Sequence, residues 1–300
     1  MSVYIGVISY LPDDIKRTKR LQASRTQIEW LHKLFNNEKI LVIAQNYNDT
    51  DYLDDPLVEY IKYDKGIGAG NARNVILKNF YNSDKDWLFI CDDDTIAYSY
   101  YQYEDFFKEM SNYNYDKFKG IDAISAIEPE YTAYKKNNFE DKNNLTHYKF
   151  TPRELNCGSA TSFMRNIRKF YGKELYYDSI LADKREGLED VEFLLNWVLN
   201  GFTWYKMNTW IRKSLAFNQS TIWEDDKDAR NETLFKCLDK VCERFSIYGI
   251  VKKLNGNVNW ADFNKAYNKT LPVLYVPREH SISYDDNTTP KNKTKNIPLF

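Results

Sequence analysis

The segment Asp86-Trp87-Leu88-Phe89-Ile90-Cys91-Asp92-Asp93-Asp94-Thr95-Ile96 joins a short apolar run directly to three acids. The apolar part, Trp87 to Cys91, predicts a buried strand, and the acids follow where a turn should begin. In open α/β sheets, ligands bind outside the carboxyl ends of the strands, so Asp92, Asp93 and Asp94 are candidates to hold Mg²⁺ or Mn²⁺. The alternative interpretation is an acidic turn that is simply solvated.

Strands and helices are predicted to alternate around this segment. Apolar runs at Val3–Ser9, Lys39–Ala44 and Leu57–Tyr63 predict strands, and the spacing of apolar residues from about Arg17 to Phe35 predicts an amphipathic helix. Two later runs, Ile121–Ile127 and Phe202–Ile211, predict further strands. This order predicts an α/β fold with a mainly parallel sheet flanked by helices.

Polar and small residues follow several of these predicted strands. Ser9 and Tyr10 end the first strand, Asn46 lies in the loop after the second, and Gly68 belongs to the glycine-rich turn Lys65–Asn74. Arg73 falls in the first helical turn after those glycines, near backbone N–H groups that favour an anion. The alternative is an ordinary turn followed by a surface arginine.

A second pair of acids, Glu189 and Asp190, opens a predicted helix that stops at Asn200-Gly201. These acids either cap the helix and complement its dipole, or one of them is a positioned base. The segment Leu155–Arg165, with Gly158 and Ser159 in its small polar middle, allows a ligand to approach the backbone, or else forms a bulged strand.

Composition limits the class of protein. The chain has 300 residues and a net charge of −1, so we expect one large domain, residues 1–223, with a helical C-terminal appendage and tail, residues 224–300. The beginning of the chain lacks a signal-peptide pattern and no apolar run is long enough for a membrane span, so we expect a cytoplasmic protein without membrane contact. Basic segments at Lys16–Arg20, Lys135-Lys136 and Lys291–Lys295 are possible phosphate contacts.

Four elements, in this order, resemble the GT-A glycosyltransferases and in particular the family-2-like enzymes. They are the first strand ending at Ser9-Tyr10, the Gly68–Asn74 turn with its Ala-Arg-Asn, the Asp92–Asp94 motif, which looks like Asp-X-Asp, and Glu189-Asp190. The resemblance covers roughly residues 3–211. It implies a Rossmann-like sheet, a nucleotide sugar as donor, and Mn²⁺ or Mg²⁺ as cofactor.

The resemblance also implies roles for particular residues. Asp94, with Asp92, would hold the metal, Arg73 would add a positive contact to the diphosphate, and Asp190 would be the catalytic base, with Glu189 as the alternative. The remaining candidates are the nucleotide-sugar contacts Ser9, Tyr10, Asn46, Gly68, Arg73, Asp92, Asp93, Gly158 and Ser159, and the acceptor-side stacking faces Trp204 and Trp223. Direct attack by the acceptor would invert the anomeric configuration.

This sequence departs from the family pattern in its metal ligands. Many relatives carry a further histidine ligand after the catalytic helix, whereas residues 203–220 contain none and the only histidines are His32, His147 and His280. Either Asp94, diphosphate and water hold the ion, or His280 contributes from the tail.

A second resemblance, in composition, concerns the acceptor. A Lys-, Asn- and Tyr-rich composition without a membrane anchor resembles phage-encoded enzymes such as the T-even-type β-glucosyl-HMC-α-glucosyltransferases. That resemblance implies transfer of glucose from UDP-glucose to a sugar on hydroxymethylated pyrimidine in duplex DNA, in the host cytoplasm. The alternatives are a transferase acting on a surface polysaccharide or teichoic-acid precursor, and a non-catalytic carbohydrate- or nucleic-acid-binding protein.

Overall fold

The structure is a computed structural model of the whole chain. It describes residues 2–13, 16–36, 38–99, 122–127, 161–178, 189–202, 204–214 and 240. Within these ranges the strands are β1 Val3–Tyr10, β2 Ile40–Gln45, β3 Val58–Tyr63, β4 Trp87–Asp92, β5 Thr95–Ser99, β6 Ala123–Ile127, β7 Thr161–Arg165 and β8 Trp204–Ser214. The helices are α1 Arg17–Leu34, α2 Ala69–Tyr81, α3 Ile167–Tyr171 and α4 Glu189–Leu199.

The strands form one sheet in the order β3-β2-β1-β4-β7-β6-β8-β5. Neighbouring strands among β3, β2, β1 and β4 pair in parallel, as do β6 and β8. β7 is antiparallel to both β4 and β6, and β5 is antiparallel to β8, so six strands run one way and two run the other. This confirms the predicted fold class, a Rossmann-like, mainly parallel α/β sheet with helices packed against it.

The alternation of side chains along β1 and β4 divides the core into two clusters, one on each face of the sheet. Odd-numbered side chains of both strands pack with α1; this cluster includes Val3, Ile5, Val7, Ile28, Leu31, Trp87, Phe89 and Cys91. Even-numbered side chains pack with α2 and α4; this cluster includes Ile8, Ile76, Phe80, Leu88, Ile90, Leu194 and Trp197. The same alternation leads into the acids at the end of β4, which therefore meet a different helix on each face.

Most predicted elements are present with small shifts of their ends. The predicted strand at Trp87–Cys91 extends to Asp92, and the helix predicted to open at the second acid pair begins at Glu189. Gly201 has a φ of 86°, which suits the predicted helix stop. Strand β5 was not predicted, because only two residues, Asp93 and Asp94, separate it from β4.

Two expectations stay predictions. One is the division into residues 1–223 and 224–300, which depends on segments outside the described residues. The other is the helical appendage, nearly all of which also lies outside them.

Among the helices that the structure describes, none combines the length and the apolar composition that a membrane crossing requires.

The contact between β1 and α2 depends on a glycine, which gives a test of the packing. A Cβ added at Gly6 would lie 2.3 Å from Cγ2 of Ile76, a side chain that is fully buried. We expect Gly6→Ala to lower the free energy of unfolding by about 1–3 kcal/mol, as overpacking does. Denaturant titration gives the free energy of unfolding of Gly6→Ala, of Ile76→Ala and of the double variant. The close approach of α2 to β1 is wrong if the double variant loses as much free energy of unfolding as the two single variants lose together.

Candidate functional site

A buried arginine joins the two pairs of acids that the sequence singles out. Arg73, on α2, is only 4% exposed, and its Nη2 lies 3.0 Å from Oδ1 of Asp92 at the end of β4. Its Nη1 lies 3.1 Å from Oε1 of Glu189 at the head of α4. One guanidinium thus bridges the carboxylate at the end of β4 and the carboxylate at the beginning of α4.

The geometry of α2 explains how Arg73 reaches both acids. Gly68, with a φ of 87°, turns the chain into the helix, and its carbonyl accepts the N–H of Ala72 at 3.0 Å. Ala72 and Ile76 are fully buried against the sheet, so Arg73 is held at the same inner face. Arg73 is therefore not the surface arginine of the alternative interpretation. A contact between Arg73 and a diphosphate stays a prediction.

On the other face of the sheet, Arg20 of α1 holds the next two acids. Its Nη2 lies 2.8 Å from Oδ1 of Asp93, and its Nη1 donates to Oδ2 of Asp94 at 3.1 Å. Ser9, near the end of β1, donates its hydroxyl to Asp93, and the Ser9 hydroxyl is 2.6 Å from the hydroxyl of Tyr47. Asp93 has a fully buried side chain, so the acidic turn is not simply solvated.

A buried glutamine fixes the shape of the acidic turn. Nε2 of Gln27, on α1, donates to the carbonyl oxygen of Thr95 at 2.6 Å and contacts Sγ of Cys91 at 3.0 Å. The N–H of Thr95 donates to Oε1 of the same glutamine at 3.3 Å, and the Thr95 hydroxyl donates to Oδ1 of Asp94 at 3.2 Å. The turn is therefore tied to α1 on both sides of the acids.

Burial changes the protonation of two of these acids. It raises the pKa of Asp93 to about 7, although Arg20 acts in the opposite direction. Burial, together with the neighbouring charge of Asp190, also raises the pKa of Glu189 above its ordinary value, while Arg73 opposes this. Both carboxyl groups therefore exchange protons closer to neutral pH than a surface acid does.

The donor set at the acidic turn suits a hard divalent cation in type and number. Mg²⁺ is commonly held by one or two carboxylates together with substrate phosphates and water, and Asp92 and Asp94 are two such carboxylates. Within the described part of the chain, however, no group of three or more His, Cys, Asp or Glu side chains is arranged around a common point. Arg20 and Arg73 already contact Asp94 and Asp92, so an ion would share these carboxylates with the arginines.

Several other predicted contacts lie at the same edge of the sheet, where the parallel strands end. The ring of Tyr10 packs beside Gly66. A Cβ added at Gly66 would lie 3.1 Å from Cε2 of the tyrosine. Asn46 has a φ of 59°, and its Nδ2 donates to the carbonyl oxygen of Leu11 and to Oδ1 of Asp13, both at 2.8 Å. Asn46 thus holds the loop after β1.

Trp204 is a correction. The sequence predicted an acceptor-side stacking face, but Trp204 is 2% exposed and donates its Nε1 to the hydroxyl of Ser125 at 2.6 Å. It packs edge-on against Trp197 in the core. Trp204 is the first residue of β8, which runs in the same direction as β4. It therefore lies at the edge of the sheet where these strands begin, whereas the acids lie at the edge where β4 ends. Gly158, Ser159, Trp223 and His280 lie outside the described residues.

Four residues at the site were not predicted as part of it: Arg20, Gln27, Tyr47 and Tyr177. Arg20 stood out only as a member of a basic segment. The signal that was available is the polar pair Ser24 and Gln27 on the inner side of an otherwise apolar helix face, since both are buried in the structure. A buried polar side chain needs a partner, and the acidic turn supplies it.

Comparison with known proteins finds similar solved structures but no matching family. No protein-family model matches this sequence, and no curated protein matches it either. A structure of residues 1–349 of TarS from S. aureus in complex with UDP-GlcNAc is similar over 87% of this chain and 69% of that chain, at 12% identity and a TM-score of 0.47. A second S. aureus TarS structure is similar over 87% of this chain and 41% of its own, at 14% identity and a TM-score of 0.46.

A Drosophila beta-1,4-galactosyltransferase 7 mutant in complex with manganese, UDP-Gal and xylobiose is similar over 75% of this chain and 79% of that chain. Its identity is 13% and its TM-score 0.38. All three TM-scores are below 0.5. The fold assignment therefore depends on this chain's own strand order, and the site on its own contacts.

The buried acid Asp93 gives a pH prediction. Its pKa rises from 3.8 to about 7 on folding. The folded protein therefore binds the proton more tightly, and the stabilisation is complete below about pH 4 and is lost as the pH rises to about 7. We expect Asp93→Asn to make the free energy of unfolding depend less steeply on pH across this range, by up to about 1.4 kcal/mol per pH unit.

Urea titrations at several pH values measure this slope for the wild type, for Asp93→Asn and for Asp84→Asn. Asp84 is an exposed acid before the beginning of β4, and its substitution should leave the slope unchanged. Equal slopes for the wild type and Asp93→Asn would show that Asp93 is not buried as described.

Proposed function

We propose that this chain is an inverting glycosyltransferase that uses a nucleotide sugar as donor. The observation that carries the proposal is the guanidinium of Arg73, which lies between Asp92 at the end of β4 and Glu189 at the head of α4. In an open α/β sheet, the ends of parallel strands form the ligand-binding edge. A nucleotide sugar bound at that edge would therefore lie beside the acids at the head of α4, which supports the proposal.

The chemistry that these residues support is a direct displacement. An acceptor hydroxyl oxygen forms a bond to the anomeric carbon while the bond from that carbon to the diphosphate oxygen breaks. The hydroxyl proton moves to a carboxylate, and the nucleoside diphosphate leaves with the electron pair. We propose Asp190 as the base and Glu189 as the alternative, because both lie in the first turn of α4.

The contacts favour a division of labour between the two acids. Glu189 is held by Arg73, so its carboxylate has a fixed position and a counter-charge. Asp190 follows it on the same helical turn and raises the pKa of Glu189 by its charge. We propose that Glu189 positions the head of α4 while Asp190 accepts the proton.

Asp92 and Asp94 are the residues proposed to hold Mn²⁺ or Mg²⁺ together with the diphosphate. A divalent cation there supplies positive charge to the leaving diphosphate. Ser9, through its hydrogen bond to Asp93, and Gln27, through its hydrogen bond to Thr95, hold the acidic turn by contacts within the chain.

For the donor we propose UDP-glucose, and for the acceptor the first candidate is a sugar on hydroxymethylated pyrimidine in duplex DNA. One feature of the structure counts against the DNA acceptor. In the basic segment Lys16–Arg20, Arg17 pairs with Asp51 and Arg20 pairs with Asp93 and Asp94, so both arginines are neutralised within the chain. The other two basic segments lie outside the described residues.

The test is release of UDP from UDP-glucose in the presence of Mn²⁺, with glucosylated duplex DNA or a polyol-phosphate polymer as acceptor. We expect Asp190→Asn to lower the rate by about 10²–10⁴-fold, because a positioned base contributes that much. We expect Asp94→Ala to remove the stimulation by Mn²⁺, because one of its two proposed protein ligands is lost.

Asp84→Ala is the matched control, since Asp84 is an exposed acid beyond the opposite end of β4, and its rate should equal that of the wild type. Equal rates in Asp94→Ala, Asp190→Asn and Asp84→Ala would refute the site. Binding of UDP-glucose by the wild type without turnover on either acceptor or water would favour the non-catalytic binding protein. Faster transfer to the polyol-phosphate polymer than to DNA would favour the teichoic-acid alternative.

A further inference from the structure

Tyr177 carries a buried hydroxyl group that makes no hydrogen bond to any residue that the structure describes. The residue is 2% exposed. Burial of a hydroxyl without a hydrogen bond costs free energy that a phenylalanine at this position would avoid. A bound molecule with a complementary polar group would complete the hydrogen bonding of this hydroxyl.

The ring of Tyr177 cannot easily turn away to find another partner. It stacks on Phe193 with 4.1 Å between ring centroids and an interplanar angle of 6°. The backbone of Tyr177 is fixed by Asn74, whose Nδ2 donates to the Tyr177 carbonyl at 2.8 Å and whose Oδ1 accepts its N–H at 2.7 Å. The ring and its hydroxyl are thus held by α2 from one side and α4 from the other.

The surroundings of this hydroxyl are those of the candidate site. The Arg73 guanidinium carbon lies 5.5 Å from the Tyr177 ring centroid. The charges that act on the hydroxyl belong to Arg73, Asp190, Glu189 and Asp92, and burial raises its pKa, so it stays protonated at neutral pH. Tyr177 is therefore a hydrogen-bond donor whose ring lies beside the guanidinium that joins the end of β4 to the head of α4.

The charge balance around the hydroxyl indicates which part of a nucleotide sugar it would meet. The guanidinium beside the ring is already paired with the two carboxylates of Asp92 and Glu189, so a further anion such as the diphosphate is disfavoured there by repulsion. A sugar hydroxyl is neutral, donates to a carboxylate and accepts from a phenol at the same time. The sugar ring fits this position better than any anionic part of the donor.

We propose that Tyr177 donates a hydrogen bond from its Oη to a hydroxyl group of the transferred sugar, and so helps to select the donor sugar. This inference rests on the proposed function. It makes Tyr177 a specificity-determining residue, because a site built to bond a sugar hydroxyl discriminates against a donor that lacks it.

The test compares the wild type with Tyr177→Phe, using UDP-glucose and its monodeoxy analogues, each lacking one ring hydroxyl. We expect Tyr177→Phe to fold with an unchanged or higher Tm, since no hydrogen bond within the protein is lost and the ring stacking is kept. We expect kcat/KM for UDP-glucose to fall about 10–100-fold, as the loss of one hydrogen bond does, and the affinity for UDP alone to stay unchanged. For one monodeoxy analogue, wild type and variant should be equal.

Tyr81→Phe is the matched control, because Tyr81 is also buried but donates its hydroxyl to the carbonyl oxygen of Leu175 at 3.2 Å. It should lower the Tm and leave the discrimination between sugars intact. The proposal is overturned if Tyr177→Phe lowers kcat/KM equally for every analogue, or lowers it for none. If the wild type transfers from no nucleotide sugar and binds none, the proposed function fails together with this inference.

Discussion

Buried charge compensation is the constraint on which the site depends. An ionised side chain that is removed from water must be paired, since its desolvation is otherwise too costly. Arg73 is almost fully buried, and Asp92 and Glu189 are the carboxylates that balance it. This requirement brings together β4, α2 and α4, although Arg73 and Glu189 are 116 residues apart in the chain.

The same constraint operates a second time on the opposite face of the sheet. Asp92 follows the even-numbered side chains of β4 to the face of α2 and α4, whereas Asp93 meets Arg20 of α1 on the other face. Each helix supplies one arginine to one part of the acidic turn. The turn is therefore anchored from both faces, which gives the carboxylates defined positions before any ligand binds.

The fold could be predicted from the sequence further than the site could. Apolar runs and helical spacing located β1, β2, β4, α1 and α4, because those elements are buried on a regular period. The acids of the site were also predicted, since carboxylates at the end of a buried strand and at the head of a helix stand out locally. The partners of these acids were not, because Arg20 is 74 residues from Asp94 and no local pattern connects them.

Tyr177 and Trp204 show two further limits of a reading from sequence. Tyr177 lies in a charged segment without a regular spacing of apolar residues. Its stacking on Phe193 and its hydrogen bonds to Asn74, which hold the ring in place, are visible only in the structure. Trp204 stands at the beginning of an aromatic strand, and its position relative to the acids depends on which strands pair with β8. Strand order is set by tertiary pairing, so the resemblance could suggest an acceptor-side role for Trp204 but could not show that the residue is buried at the opposite edge.

The most direct test of this account is a double-mutant cycle between Arg73 and Glu189. The free energy of unfolding is measured for the wild type, Arg73→Met, Glu189→Gln and the double variant, at mildly alkaline pH so that Glu189 is ionised in spite of its raised pKa. The account predicts a coupling energy of about 0.5–3 kcal/mol, whereas Arg73→Met combined with Asp84→Asn should be additive. Additive effects of Arg73→Met and Glu189→Gln would contradict the bridge between the end of β4 and the head of α4.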